Sequence, residues 1–134
     1  MCEEETGGTA TTPAQPTETL DRSVLANMRE SSQREDGPDV FVRLVELFLN
    51  DVSHQLVNLQ EAVHNDDASM VKRIAHSCKG SCGQMGARRM AEICTKLQNV
   101  GASGNLTCTL EILEQLEKEF ERVREALGAE LRRS

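Results

Sequence analysis

FVRLVELFLNDVSHQLVNLQEAV, residues 41–63, carries apolar side chains at Phe41, Leu44, Val45, Phe48, Val52, Leu56, Leu59 and Val63. Steps of three and four match the 3.6-residue turn of an α-helix and not the two-residue alternation of a strand. No glycine or proline interrupts the run. It predicts one long amphipathic helix, or two that abut at Ser53, a residue type suited to capping. A stripe of that length must be covered by other stripes.

The flanking sequence supplies them. Upstream, Leu20, Val24, Leu25 and Met28 share a face and predict a short helix over 20–31. SSQREDGP, residues 31–38, breaks the pattern, and Pro38 suits the first turn of the next helix. Residues 1–19, MCEEETGGTATTPAQPTET, read as a disordered tail or linker, which leaves 20–134 as one domain. Downstream, HNDDAS at 64–69 is a turn, with Asp66 or Asp67 capping a helix that should stop at Gly86. The next helix, 87–100, turns Met90, Ile93, Cys94 and Leu97 inward and ends at Gly101, with GASGN as a loop. A last stripe runs through Leu106, Leu110, Leu113, Leu116, Phe120, Val123, Leu127 and Leu131. No segment alternates like a strand. The expected fold is all-α: an antiparallel up-and-down four-helix bundle with a short additional N-terminal helix.

Composition agrees with that class. The chain has 134 residues, no Tyr or Trp and three Phe, so aliphatic side chains must fill the core. A net charge of −7 argues against binding to nucleic acid or to an anionic membrane surface. No run approaches the ~18 apolar residues of a membrane span, and no signal-peptide core is evident at the N-terminus. The five cysteines are an odd number without framework spacing, and are expected to be reduced thiols filling a cytoplasmic protein's core. Cys78, Cys82 and Cys94 match no usual zinc spacing and fall on apolar stripes, so no metal is expected.

AHSCKGSCGQMGARRM, residues 75–90, is the stretch that helix stability does not explain. Glycine costs roughly 1 kcal/mol relative to alanine within a helix. At ~100° per residue, Val71, Ile74, Cys78, Cys82 and Met85 gather on a core side, and His76 points away from them. Near His76 lie Lys72, Arg73, Lys79, Gly80 and Gly83. An exposed histidine or an exposed cation is ordinary, but exposed helical glycines invite the close approach of a partner. An imidazole nucleophile with a lysine one turn away suits phosphoryl transfer, which mainly requires positioning and charge stabilisation. No carboxylate lies near His76 to hold a metal. His54 and His64 lack the Lys-Gly neighbours and read as structural or solvated.

The run Ala75-His76-Ser77-Cys78-Lys79-Gly80-Ser81-Cys82-Gly83-Gln84-Met85-Gly86-Ala87 resembles the signature of histidine-containing phosphotransfer (HPt) domains. The likeness extends over about residues 20–127. It implies a monomeric, cytoplasmic bundle in which His76 is the phosphoacceptor, Lys79 the neighbouring cation and Gly80 the close-approach position. Gly83, Lys72, Arg73, Gln84 and Arg88 are the docking candidates. Cys82 stands where the family commonly has a second serine. The implied partners are response-regulator receiver domains, with a hybrid sensor kinase as the parent or neighbour, and with no nucleic acid and no membrane contact. The resemblance implies a carrier without autonomous kinase activity and without a cofactor of its own, Mg2+ being held by the receiver. Two alternatives belong to other classes: a docking or inhibitory module that relays no phosphate, and a thiol or metal sensor built on the cysteines.

Overall fold

The computed structural model describes residues 20–35 and 39–133; residues 1–19 and Pro38, on which the tail and helix-start readings fall, lie outside them. Among the described residues five helices follow one another: α1 (Arg22–Glu35), α2 (Asp39–His64), α3 (Ala68–Met85), α4 (Arg88–Ser103) and α5 (Thr109–Arg133). No strand occurs among the described residues. α2 packs on α3, α3 on α4, α4 on α5, and α5 closes back on α2, while the diagonal pairs stay apart. That is an up-and-down four-helix bundle, and α1 lies against α2 and α3.

The expected stripes build its core. Val45, Val52, Leu59, Val71, Met90, Leu97, Leu116, Val123 and Leu127 are all fully buried within one continuous apolar cluster. At ~25 cal/mol per Å2 of apolar surface, each such side chain contributes roughly 1.5–3 kcal/mol. α2 runs unbroken through Ser53, because no side-chain cap competes there with continued burial on both sides of that residue. The stripe readings fail at Leu110, which is 70% exposed, and at Leu44, which is 38% exposed. A stripe drawn from spacing alone includes residues at its margin, and only the neighbouring helix decides which margin is covered.

Helix ends correct three boundaries and decide a fourth between two candidates. α1 continues past residue 31 to Glu35. Asp67 rather than Asp66 caps α3, accepting a hydrogen bond from the Met70 amide at 3.1 Å. Asp66 instead takes a left-handed φ of 56° in the turn. α5 begins at Thr109, after Leu106, with Asn105 accepting from the Thr107 amide in the preceding turn. α4 passes through Gly101 and ends at Gly104, whose φ is 82°.

Gly101 has another purpose. A Cβ added there would lie 2.7 Å from the Lys72 nitrogen and 2.9 Å from the Ala68 oxygen, so the backbones of α4 and α3 meet at this point. Neither neighbour is a flexible side chain that could yield. Gly86 is constrained twice over: it ends α3 at φ 81°, and an added Cβ would crowd Val24 and Asp21. The Asp21 amide donates to the Gly86 oxygen at 2.7 Å, seating the start of α1 on the end of α3. Asp21 also caps α1 through the Ser23 hydroxyl and amide and pairs with Arg88 at 3.1 Å. Those Ser23 hydrogen bonds, more than the Arg88 charge, hold its carboxyl below the usual range.

One carboxylate is buried against this logic. Glu119 on α5 is 3% exposed, lies 3.5 Å from Arg89 and 3.3 Å from Arg122, and leaves Oε2 without a hydrogen-bond partner. Burial pushes its carboxyl up despite the two guanidinium groups.

Two outcomes follow from this packing. Gly101→Ala should destabilise the bundle by about 1–3 kcal/mol in denaturant unfolding, the range of an overpacked interior. For Glu119, a raised folded-state pKa means stability that is present at low pH and lost as pH rises through that value. Glu119→Gln should therefore be more stable than wild type at pH 7, with the difference shrinking towards pH 4, as read by urea midpoints across pH.

Candidate functional site

α3 is held at both ends, by Asp67 and by Gly86, and it divides into a closed side and an open one. Val71, Ala75, Cys78, Cys82 and Met85 are buried, with Ile74 half-buried at the edge. His76, Lys72, Arg73, Lys79, Gly80, Gly83 and Gln84 are all exposed. The tertiary structure thus brings these residues to one solvent-facing strip. Lys72, Arg73 and Lys79 enter none of the ion pairs among the described residues, so their charges are open to an anion. Arg88 is exposed too, but its guanidinium is engaged by Asp21 and holds α1 to the start of α4.

The two glycines beside His76 have no internal reason to be glycine. A Cβ added at Gly80 or Gly83 would meet nothing within 4 Å, and neither has a positive φ. Both accept a helix penalty that the monomer does not require.

On the α2 side, Gln55 Nε2 donates to Ser77 Oγ at 3.1 Å, and Ser81 Oγ donates to Asp51 Oδ2 at 3.3 Å. These bonds set the antiparallel register and identify the α2 face that borders the His76 strip. Leu47 and Leu44 continue that face at helical spacing from Asp51, 59% and 38% exposed. Sequence reasoning placed Leu44 in the core and passed over Leu47. Their signal was the spacing to Asp51 and Gln55, which had no meaning until the bonds to α3 located that face.

On the α4 side, the Gly101 contact puts Lys72 level with the last turn of α4. One turn earlier in α4, Gln98 is level with Ala75 and His76. Its Oε1 is buried and has no hydrogen-bond partner. Gln98 carried no motif, and only the depth of the α3–α4 contact reveals it. The other histidines lie elsewhere: His54 Nδ1 is 3.0 Å from the Asn50 oxygen on its own helix, and His64 ends α2, where a positive imidazole suits the helix dipole.

Behind the strip, Cys78, Cys82 and Cys94 are free and fully buried, as the stripes predicted. Spacing did not predict that their sulfurs lie within 4.8 Å of one another. Contact with the Cys78 sulfur first, and burial after it, push the Cys82 and Cys94 thiols up, so both remain protonated. Cys108 is disulfide-bonded. That corrects the expectation of five reduced thiols: it sits half-buried before α5, packed against the edge of the core cluster.

Comparison with known proteins converges on one family. The model of the Hpt domain matches residues 43–126, well over half of the chain. Histidine-containing phosphotransfer protein 5 of Arabidopsis thaliana is 30% identical over 99 residues, which are 71% of this chain and 62% of that protein, so the match spans less than two thirds of the plant relative. The crystal structure of histidine-containing phosphotransfer protein B from Pseudomonas aeruginosa PAO1 superposes with a TM-score of 0.81 at 31% identity, covering 89% of this chain and 99% of that one. No described helix is long and apolar enough to cross a membrane.

Because Gly80 and Gly83 face open space, Gly80→Ala and Gly83→Ala should each stabilise the isolated chain by up to about 1 kcal/mol. The sign is opposite to that of Gly101→Ala, and the same unfolding series measures all three.

Proposed function

This chain belongs to the Hpt domain family, and on that premise we propose that it is a phosphorelay carrier that takes a phosphoryl group onto His76 from a receiver-domain aspartate and passes it to another. The observation that carries the reading is the coincidence of His76 with two exposed glycines that the monomer does not need. Side-chain clearance at Gly80 and Gly83 leaves room for a partner's loops to reach the imidazole.

The transfer is simple in bond terms. A lone pair on one ring nitrogen of neutral His76 attacks phosphorus in line, the P–N bond forms, and the acyl P–O bond of the aspartyl phosphate breaks. The receiver's carboxylate leaves with the electron pair, and the imidazole keeps the proton on its other nitrogen. In this reading the unpartnered Gln98 Oε1 accepts that proton's hydrogen bond, which orients the ring and steadies its positive charge. Lys79, one turn from His76, meets the negative phosphoryl oxygens. Reversal of the same steps donates the group onward.

Docking is assigned to the strip and its borders. Leu44 and Leu47 supply the apolar contact, Lys72 and Arg73 the rim charge, and Gln84 a polar contact at the near end of α3. The partners are response-regulator receivers, alone or within a hybrid sensor kinase. The receiver's acidic pocket holds Mg2+, and this chain has no kinase activity of its own.

Incubation with a phosphorylated receiver, followed by measurement of acid-labile, base-stable phosphate on the chain, tests the reading. Wild type should take up label and His76→Gln none. Lys79→Ala should slow uptake by about 10-fold, since one charge-assisted hydrogen bond is worth about 1.5 kcal/mol. Absence of label on folded wild type across a panel of receivers would sink the relay, and label persisting in His76→Gln would move it to another residue.

A further inference from the structure

Three sulfurs converge on the reverse face of the helix that presents His76. Cys78 and Cys82 stand one turn apart on α3 and Cys94 comes from α4; all three are fully buried, and their Sγ atoms lie within 4.8 Å of one another. Core filling asks for small apolar side chains at these positions, but it does not ask for three soft donors aimed at one point. We propose that Cys78, Cys82 and Cys94 form a three-thiolate site for a soft, thiophilic ion, and that a trivalent ion of the arsenite type is the one it fits.

Distance permits such a site. A bond to sulfur of about 2.3 Å sets the three sulfurs around a pyramidal trivalent centre about 3.5 Å apart. Side-chain adjustments of less than about 1 Å reach that spacing from the observed one. Two of the ligands share a helix and the third comes from its most extensively packed neighbour, so the donors are already assembled in the folded chain.

Net charge selects the ion. The sulfurs belong to a continuous apolar cluster, and the only buried polar or charged side chains among the described residues are Thr109 and Glu119. With three thiolates, Cu(I) leaves two negative charges and Zn(II) leaves one, and zinc also lacks its usual fourth ligand. Burying uncompensated charge in such a shell is costly. Trivalent arsenic gives a neutral complex, with a lone pair in place of a fourth ligand. The step is As(OH)3 + 3 Cys–SH → As(S–Cys)3 + 3 H2O. Three As–O and three S–H bonds break, three As–S and three O–H bonds form, and no electrons are transferred. Since the thiols are sealed from solvent, entry requires a local opening between α3 and α4.

The site is independent of the proposed phosphoryl transfer, and its test reads binding alone. The full chain would be titrated with arsenite, and in parallel with Zn(II) and Cu(I), using native mass spectrometry, counting of reactive thiols after unfolding, and thermal melts. One arsenic per chain, loss of three countable thiols and a melting temperature that rises with arsenite are expected. Cys82→Ala and Cys94→Ala keep the small apolar volume, and far-UV circular dichroism reports their folding. Each should weaken arsenite binding by at least about 10-fold, whereas His76→Gln should bind as wild type does. Failure of folded wild type to take up arsenite, or undiminished uptake by folded Cys94→Ala, overturns the site. Tighter binding of Zn(II) or Cu(I) than of arsenite overturns the assignment of the ion.

Discussion

The backbone contact at Gly101 is the constraint on which the rest of this molecule depends. A single methyl group there would sit 2.7 Å from the Lys72 nitrogen, inside any tolerable separation. Its absence lets α4 lie directly against the first turn of α3 and sets both the depth and the register of that pairing. The register then carries Gln98 level with His76 and Cys94 towards Cys78 and Cys82. Shifted by one turn, α3 would keep its histidine on the surface but lose the polar and sulfur neighbours that α4 supplies.

Glycine appears around this helix for three physically separate reasons. Gly101 is absent of side chain so that two backbones can touch. Gly86 adopts a left-handed φ to end α3 and lets the start of α1 rest on that end. Gly80 and Gly83 meet neither condition, since an added Cβ would find open space at both. A residue that weakens its own helix without serving the monomer points outward, to whatever approaches the monomer. The two faces of α3 therefore serve different ends. The buried face is satisfied within the chain, and the exposed face carries His76, open space at Gly80 and Gly83, and three cations that enter no ion pair among the described residues.

Much of this was legible in advance because helical periodicity is a local property. Steps of three and four residues identified the four long helices, and the same arithmetic placed His76 opposite Cys78 and Cys82. Asp67 as a cap and Gly86 as a terminator follow from residue types whose backbone preferences hold in any fold. The misreadings share a cause. Gly101 and Gly104 are equally plausible helix ends by composition, and only a neighbouring backbone makes the first a contact point. Leu44, Leu47 and Leu110 look like members of a buried stripe, or next to one, until the positions of α3 and α5 decide which margins stay uncovered. Gln55 and Gln98 carry no motif, and each acquires meaning from a partner distant in sequence.

The sequence by itself determined the helices and the two-sided character of α3, with His76 on its exposed side. These depend on the 3.6-residue turn and on the chemistry of single side chains, and neither requires knowing where another helix lies. Tertiary structure alone decided the register between helices, and with it the Leu44–Leu47 border, the unpartnered Gln98 oxygen and the convergence of three sulfurs from two helices. Each of these is a relation between residues far apart along the chain. A helical wheel specifies the angle at which a side chain leaves its own axis, but not the neighbour it meets there.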